Sequence, residues 1–382
     1  MTARLTMLAL LVVTASNASS QQATFIYRLG RDTTAIETMT RAGNRVTGEV
    51  VNRGGAAVTR LQYEVTLNAA GMPTTVVYRQ RNAAGAVMPN APSEIRLTFA
   101  GDSVRREAVF ADSTSVRMLP AQRGVPYAAP AYGLLDIAFG QMRKANQPNA
   151  SFSLVGIGAG NPAAMTFTAA GGDTVRAADG RVYRVDRDGR LQTMDASATT
   201  QKWTATRSTG RVDIGAIASR MTPIGVLSPR GMSHGSFNQS VVFINYGRPA
   251  VRERTVWGGT LIPYNEVWRN GANEATHLAT SRELTFGNVV VPPGLYTLWI
   301  LNDRNAGPQL LINKQVGQWG AALPMSNVYN QANDVGRVPM TLAATPSHVE
   351  DYTITIRNVG PGRGAIDFAW GDKVATAAFT VK

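Results

Sequence analysis

Residues Thr59–Asn68 read TRLQYEVTLN, and their side chains alternate in character. Apolar residues occupy every second position, at Leu61, Tyr63, Val65 and Leu67, and polar residues stand between them. A period of two is typical of a strand that buries one face and exposes the other. This stretch therefore predicts an antiparallel sheet with one side packed against a core.

The same pattern recurs along the chain, in SEIRLTF at 93–99 and in EDYTITIRN at 350–358. Asp188 and Gly189 separate two short apolar runs, which is typical of a hairpin. Helical spacing of apolar residues is seen over Tyr132–Ala145. The sequence therefore predicts a mainly β protein: a curved antiparallel sheet with one short helix laid across it, followed by a second β domain.

The N-terminus has the layout of a cleavable signal peptide. Arg4 precedes an apolar run from Leu5 to Val13, and small and polar residues follow. We predict cleavage after Ser20, and hence an exported protein in the periplasm or outside the cell. The proline- and glycine-containing segment 221–231 predicts a boundary between a first domain at 21–225 and a second at 226–382.

Composition narrows the classes of protein that fit. The chain has no cysteine, which excludes disulfides and thiolate metal sites. Its net charge is +13, but the arginines are scattered, so we expect a basic surface and no nucleic-acid partner. After the signal peptide no apolar stretch reaches membrane-spanning length, and we expect the protein not to span a membrane. No cofactor or metal is predicted.

Residues 231–235 read GMSHG, which matches the G-x-S-x-G pattern of a serine nucleophile. A nucleophile elbow needs a strand before the serine and a helix after it. Here SVVFINYG, a predicted strand, follows Ser233. We therefore expect Ser233 to lie in a loop between domains, and we assign no catalytic residue.

The stretch 244–286 breaks the alternation and concentrates aromatic and ionisable residues. Such residues on loops of a rigid sheet commonly form binding sites. An arginine there is suited to holding a carboxylate or phosphate, and the rings to stacking on a sugar or planar ligand. The residues that we predict to bind a ligand are Tyr246, Arg248, Tyr264, Trp268, Arg269, Asn273 and Glu274.

Two other interpretations of this stretch remain open. Glu274 and His277 are three residues apart, which would place them together on a helical turn as metal ligands or as an acid/base pair. Alternatively, Arg248, Arg269 and Glu274 form a buried ion-pair network that braces the loop, while Trp268 fills the core.

Residues from about Ser228 to the C-terminus resemble domain-of-unknown-function family 2911 of exported bacterial proteins. The resemblance rests on INYGRP, LIPYNEVWRNGANEAT, VPPGLYTLWI and NKQVGQWG, in that order. It implies a β-sandwich-like domain and export, but no activity. The positions to which it points are Tyr246, Arg248, Pro249, Pro263, Tyr264, Trp268, Arg269, Gly271, Asn273 and Glu274. The N-terminal part resembles, in architecture alone, the curved-sheet carrier domains of the periplasm.

We therefore expect an exported, non-enzymatic protein that binds a small molecule or an envelope component. Its ligand would be apolar or anionic, held in the concave face formed by strands such as 61–67 and 95–99 or by the loop around Trp268. One alternative is a small hydrolase that uses Glu274 as acid/base and Arg248 or Arg269 to hold an anionic substrate. The other alternative is a structural module that contacts other envelope proteins.

Overall fold

The structure is a computed structural model that describes residues 20–199, 201–210, 212–237, 239–320 and 329–382. The predicted signal peptide lies outside these ranges, except for Ser20. Within them, no helix has both the length and the apolar character needed to cross a membrane.

In the described part of the chain, the first fifteen strands form one sheet. They are β1 Gln21–Leu29, β2 Asp32–Ala42, β3 Arg45–Asn52, β4 Thr59–Leu67, β5 Pro73–Asn82, β6 Glu94–Ala100, β7 Ser103–Val109, β8 Thr114–Pro120, β9 Val125–Pro126, β10 Asn149–Val155, β11 Ala163–Ala169, β12 Thr174–Ala177, β13 Val182–Val185, β14 Leu191–Asp195 and β15 Trp203–Ser208. Neighbours in the sheet are neighbours in sequence, except that β1 pairs with β15. All pairs are antiparallel apart from β9 with β10, so the predicted antiparallel sheet is confirmed.

The sheet is curved around a helical segment. Open sheets rarely exceed about ten strands without curling, because the twist of each strand accumulates. A 3₁₀ turn at Tyr132–Leu135 and helix α1 at Asp136–Lys144 lie on the inner side, where Phe139 packs 5.2 Å from Phe167 and 5.1 Å from Tyr183 between ring centroids. The predicted helix is therefore confirmed.

The concave face of this sheet is filled by the chain itself. Leu61, Tyr63 and Leu97 are at most 9% exposed and belong to the same hydrophobic core as α1. The alternating pattern identifies these residues as inward-facing, but it does not show what covers them. Within the described residues, the inward faces of strands β4 and β6 are packed against protein and are not open to an apolar ligand.

Glu37 on β2 is a fully buried acid within this core. Its carboxylate accepts hydrogen bonds from the Tyr27 hydroxyl, from the Tyr63 hydroxyl at 2.6 Å and from the Gly133 amide at 3.2 Å. Gly48 makes room for this arrangement, because a Cβ there would lie 2.3 Å from the Tyr63 ring. Burial raises the pKa of Glu37 to about 7.

Asp136, the first residue of α1, is a second buried acid. It accepts a hydrogen bond from the Leu191 amide at 2.6 Å, and the Arg207 guanidinium lies 3.4 Å away. Burial raises the pKa of Asp136 to about 6. Both acids therefore have hydrogen-bond donors from the elements that enclose them.

A second short helix, α2 Ile214–Arg220, was not predicted. Asp213 caps it by accepting a hydrogen bond from the Ala216 amide at 3.0 Å, and its apolar side packs on Val51 and Val58. Seven residues are too few for the helical period to be visible in the sequence. Residues 221–229, all of them described, contain no helix or strand, and the predicted domain boundary falls in this segment.

The C-terminal part is a β-sandwich of two sheets, as predicted. One sheet contains β16 Arg230–Phe237, β17 Ser240–Gly247, β18 Val267–Trp268, β19 Thr276–Thr280, β22 Gly294–Asp303, β23 Gly307–Asn313 and β24 Asp334–Pro339. The other contains β20 Leu284–Phe286, β21 Val289–Val291, β25 Thr341–Gly360 and β26 Arg363–Val381. Strands β16, β17 and β23 face β25 across a core that includes Ile244, Leu298 and Phe368.

Candidate functional site

Residues 248–275 join β17 to β19 and contain little regular structure besides β18, which pairs with β22. Two features fasten this segment to the sandwich. Asn270 is fully buried and accepts a hydrogen bond from the Tyr352 hydroxyl. Gly247 lies against Ala272 so closely that a Cβ would stand 2.1 Å from the Ala272 carbonyl oxygen. Both contacts hold the C-terminal end of the segment against the sandwich.

Trp268 is the half-buried centre of this segment. Its ring stacks on Trp370 at 5.5 Å between centroids, with 16° between the planes, and meets Tyr352 edge-on at 5.1 Å. Trp370 and Tyr352 are themselves buried, and the Trp370 indole donates to the Glu350 carbonyl at 3.2 Å. The orientation of Trp268 is therefore fixed by the core, while part of its ring stays accessible.

Two cavities, of about 520 Å³ and 390 Å³, lie beside Trp268. Lys202, Leu261, Trp268 and Arg269 line both of them, and we call the two cavities together the Trp268 cleft. Both volumes fall in the range of small-molecule sites, about 300–1,000 Å³. The cleft lies between the turn that precedes β15 and the segment 248–275.

Contacts between the two parts of the chain border the cleft. Arg252 forms an ion pair with Asp32 of β2, and the Arg31 amide donates to the Arg252 carbonyl at 3.3 Å. The Lys202 ammonium donates to the Thr260 carbonyl. The N-terminal sheet therefore contributes directly to one wall of the cleft.

Three cationic side chains, Lys202, Arg254 and Arg269, line the cleft without an acidic partner. Among the described residues, none of them forms a salt bridge with an aspartate or glutamate. Each donates only to main-chain carbonyl oxygens: those of Ser197 and Thr260 for Lys202, of Val251 and Ala250 for Arg254, and of Gly271 for Arg269. Guanidinium and ammonium N–H groups therefore remain for a ligand.

The electrostatics of these cations reflect their crowding. Burial, together with the nearby charges of Arg254 and Arg269, lowers the pKa of Lys202 to about 8. Burial also lowers the pKa of Arg254 to about 10 and lowers that of Arg269. Removing charged groups from water costs several kcal/mol per ion unless a counter-charge is present. An anion bound in the cleft would offset that cost.

The backbone around the cleft is strained. Lys202, Arg252 and Asn273 line the smaller cavity and adopt left-handed conformations, with φ of 59°, 51° and 62°. Lysine and arginine seldom adopt this region, and each instance costs on the order of 1 kcal/mol or more. Strain of this kind persists where the surrounding structure enforces it, and it is common at binding sites.

Of the seven predicted ligand-binding residues, Trp268, Arg269 and Asn273 line the cleft, whereas Tyr246 and Arg248 do not. Tyr246 lies in the sandwich core, where its hydroxyl accepts from the Ile354 amide at 2.9 Å. The Arg248 Nε donates to the Tyr352 carbonyl at 3.3 Å. The positions of Tyr246 and Arg248 indicate that they brace the sandwich.

Tyr264 and Glu274 also lie outside the residues that line the cleft. Tyr264 stacks under the Arg304 guanidinium at 4.2 Å. Glu274 pairs with Arg230 at 3.2 Å, so the proposed ion-pair network of Glu274 with Arg248 and Arg269 is wrong.

The predicted helical turn for Glu274 and His277 is also wrong. His277 belongs to strand β19, and its Nε2 accepts from the Gly317 amide at 3.1 Å. Glu274 precedes this strand and pairs with Arg230, and no hydrogen bond joins it to His277 in the described part of the chain. The structure therefore lends no geometric support to an acid/base role for Glu274.

Ser233 lies within strand β16, and not in an interdomain loop as predicted. Its Oγ accepts a hydrogen bond from the Ile356 amide at 3.2 Å. The residues that follow Ser233 continue the strand as far as Phe237 and pair with β17. The position therefore has neither the sharp turn nor the following helix of a nucleophile elbow.

The sequence did not identify Lys202 and Arg254 as site residues. Arg254 lies in the arginine-containing run VRERTVW, which gives no indication of which arginine faces the cleft. Lys202 is far from Trp268 in sequence, and it reaches the segment 248–275 from the turn that precedes β15, where its ammonium donates to the Thr260 carbonyl. The scarcity of lysine, with five in the chain, was the one available hint.

Residues 228–379 match the model of a family described as "Protein of unknown function (DUF2911)". The C-terminal part of the chain thus resembles family DUF2911. The match covers the sandwich, including Trp268, Arg254 and Arg269, but not Lys202. No curated protein matches the sequence.

Two solved structures show distant likeness. One is a DUF1089 family protein from Pseudomonas aeruginosa, with 13% identity and a TM-score of 0.32, covering 50% of this chain and 95% of that one. The other is kievitone hydratase from Nectria haematococca, with 8% identity and a TM-score of 0.11, covering 96% of this chain and 90% of that one. Neither likeness is close enough to inform function, and the resemblance to curved-sheet carriers stays a prediction.

Proposed function

We propose that this protein is an exported, non-enzymatic binding protein that holds an anionic ligand in the Trp268 cleft. The observation that carries the proposal is that Lys202, Arg254 and Arg269 all line the cleft and that, among the described residues, none of them forms a salt bridge with a carboxylate. A guanidinium presents a planar fork of donors to a carboxylate or phosphate. The three cations together suit a ligand that carries at least one negative charge.

Two further features support the proposal. The net charge of +13 attracts anions to the surface and speeds their encounter with the cleft. The signal-like segment Leu5–Val13 supports export, so the ligand would be met in the periplasm or outside the cell. Small molecules and envelope components are both available there.

Native mass spectrometry of the mature protein, purified from the exported fraction of its host, tests the proposal. We expect the wild-type protein to carry an adduct whose mass matches that of an anionic molecule. The double variant Arg254→Met/Arg269→Met should lose this adduct. The matched control Arg143→Met/Arg187→Met removes the same charge at exposed positions, one in α1 and one in the turn between β13 and β14, and should keep the adduct. An adduct that survives the cleft variant would contradict the proposal.

A further inference from the structure

The tryptophans of the chain gather at the Trp268 cleft. Five of the six line its two cavities: Trp203, Trp268, Trp299, Trp319 and Trp370. The sixth, Trp257, lies in the sandwich core and donates to the Trp370 carbonyl at 3.2 Å. Trp203, Trp268 and Trp319 keep part of their rings exposed there, whereas Trp299 and Trp370 are buried, and the exposed rings place apolar surface next to cations that have no salt bridge among the described residues.

Most charged groups of the cleft are hydrogen-bond donors, and few of them can accept a hydrogen bond from a ligand. Among the residues that line the two cavities, Glu266 is the single acid, against four cations of which Arg252 is paired with Asp32. A sugar presents many hydroxyl donors and needs side-chain acceptors around it. An anionic group offers only hydrogen-bond acceptors, and an aromatic ring needs only apolar contact.

We infer that the ligand is an aryl anion, namely an aromatic ring that carries a carboxylate, sulfonate or phosphate. This inference rests on the proposed function and specifies its ligand class. The acidic group accepts hydrogen bonds from Lys202, Arg254 and Arg269, and the ring packs against the accessible part of Trp268. Neutral aromatic molecules lack the acidic group, and sugar phosphates lack the aromatic ring and bring hydroxyl donors that need acceptors.

Titration of the full-length mature protein with matched compounds tests the inference. Phenyl phosphate carries ring and charge, phenol carries the ring alone, inorganic phosphate carries the charge alone, and glucose 6-phosphate replaces the aromatic ring by a sugar. Calorimetry gives each affinity. Quenching of tryptophan fluorescence reports binding at the cleft, because five of the six tryptophans line it.

We expect phenyl phosphate to bind at least about tenfold more tightly than each of the other three compounds, with quenching of tryptophan fluorescence. Inorganic phosphate or glucose 6-phosphate binding as tightly as phenyl phosphate would overturn the inference and leave the proposed anion site standing. Failure of all three anions to bind would overturn both. Phenol binding as tightly as phenyl phosphate would also overturn both.

Two variants locate the ring. Trp268→Leu should reduce the preference for phenyl phosphate over inorganic phosphate at least about fivefold, with the affinity for inorganic phosphate retained. Because Trp268 stacks on the buried Trp370, that variant risks misfolding. Trp319→Leu alters a side chain at a residue that is 37% exposed and lines the smaller cavity, and it should reduce the same preference in a folded protein. A preference that both folded variants retain would overturn the inference.

Discussion

The N-terminal sheet and the C-terminal sandwich both bury ionisable side chains, but they satisfy them differently. Glu37 sits at the centre of the curved sheet and receives hydrogen bonds from two tyrosine hydroxyls and one amide. Arg254 and Arg269 lie at the edge of the sandwich and donate only to main-chain carbonyls. Glu37 is therefore surrounded by hydrogen-bond donors, whereas Arg254 and Arg269 retain further N–H groups that can donate to a ligand.

This difference distinguishes a buried ionisable group that stabilises the fold from buried cations that are available to bind a ligand. A buried polar group with a full set of partners belongs to the packing of the protein and specifies its core. A cluster of desolvated cations without an acid is destabilising on its own, and it becomes favourable when an anion arrives. The Glu37 carboxylate therefore has its partners within the fold, whereas the cations of the cleft have no salt-bridge partner among the described residues.

The largest expected effect comes from removing the acid of the curved sheet. Glu37→Ala leaves two hydroxyls and one amide without their acceptor, and we expect it to lower the free energy of unfolding by about 3–5 kcal/mol. The control Glu64→Ala breaks a surface pair with Arg45 and should cost less than about 1 kcal/mol. Urea denaturation measures both. Equal losses would show that Glu37 is not the structural centre described above.

The pH dependence of stability provides the next largest effect. The pKa of Glu37 is about 7 in the folded protein and 4.5 for the ordinary group, so the folded state binds the proton more tightly. The resulting stability is present below pH 4.5 and is lost as the pH rises to about 7, amounting to about 3 kcal/mol. Denaturation across this window should show a difference between wild type and Glu37→Gln that changes by that amount. A constant difference would refute the prediction.

Removing a cation of the cleft should have opposite effects on binding and on stability. We expect Arg269→Met to weaken phenyl phosphate binding at least about tenfold, while the free energy of unfolding stays the same or rises by about 1 kcal/mol. The control Arg357→Met removes an arginine paired with Asp367 on the surface and should leave binding unchanged. Calorimetry and urea denaturation give the two quantities. A large loss of stability would indicate that Arg269 braces the loop.

The smallest expected effect is on the pH dependence of binding. Lys202 is protonated below its pKa of about 8 and loses its charge above it. We therefore expect the affinity for phenyl phosphate to fall roughly fivefold as the pH rises through this value, because one of the three cations is lost. Lys202→Met should remove most of the change. An affinity that is constant across this pH range in the wild type would place Lys202 outside the site.

Much of the fold was predictable because period-two alternation reports directly on strands with one buried face. Leu61 and Tyr63, and likewise Tyr352 and Ile354, are buried as the pattern predicts. The alternation does not report what a sheet encloses. The helix laid across the sheet was predicted, but the burial of the inward-facing side chains beneath it was not, and neither was the seven-residue helix α2.

The site was predictable in part, and the limits have physical causes. Trp268 and Arg269 were chosen because they break the alternation, and they do line the cleft. Tyr246 continues the alternation of Val242 and Ile244, which marks it as a core residue. Lys202 is brought to the cleft by the pairing of β1 with β15, a long-range contact that no local pattern encodes.

Anomalous diffraction from crystals of the mature protein soaked in 4-iodobenzoate locates an aryl anion directly. We predict that the strongest iodine peak lies in the Trp268 cleft, beside the Trp268 ring, with the carboxylate within hydrogen-bonding distance of Arg269, Arg254 or Lys202. A strongest peak inside the curved sheet or on a surface arginine, with the cleft empty, would contradict an anion site at Trp268.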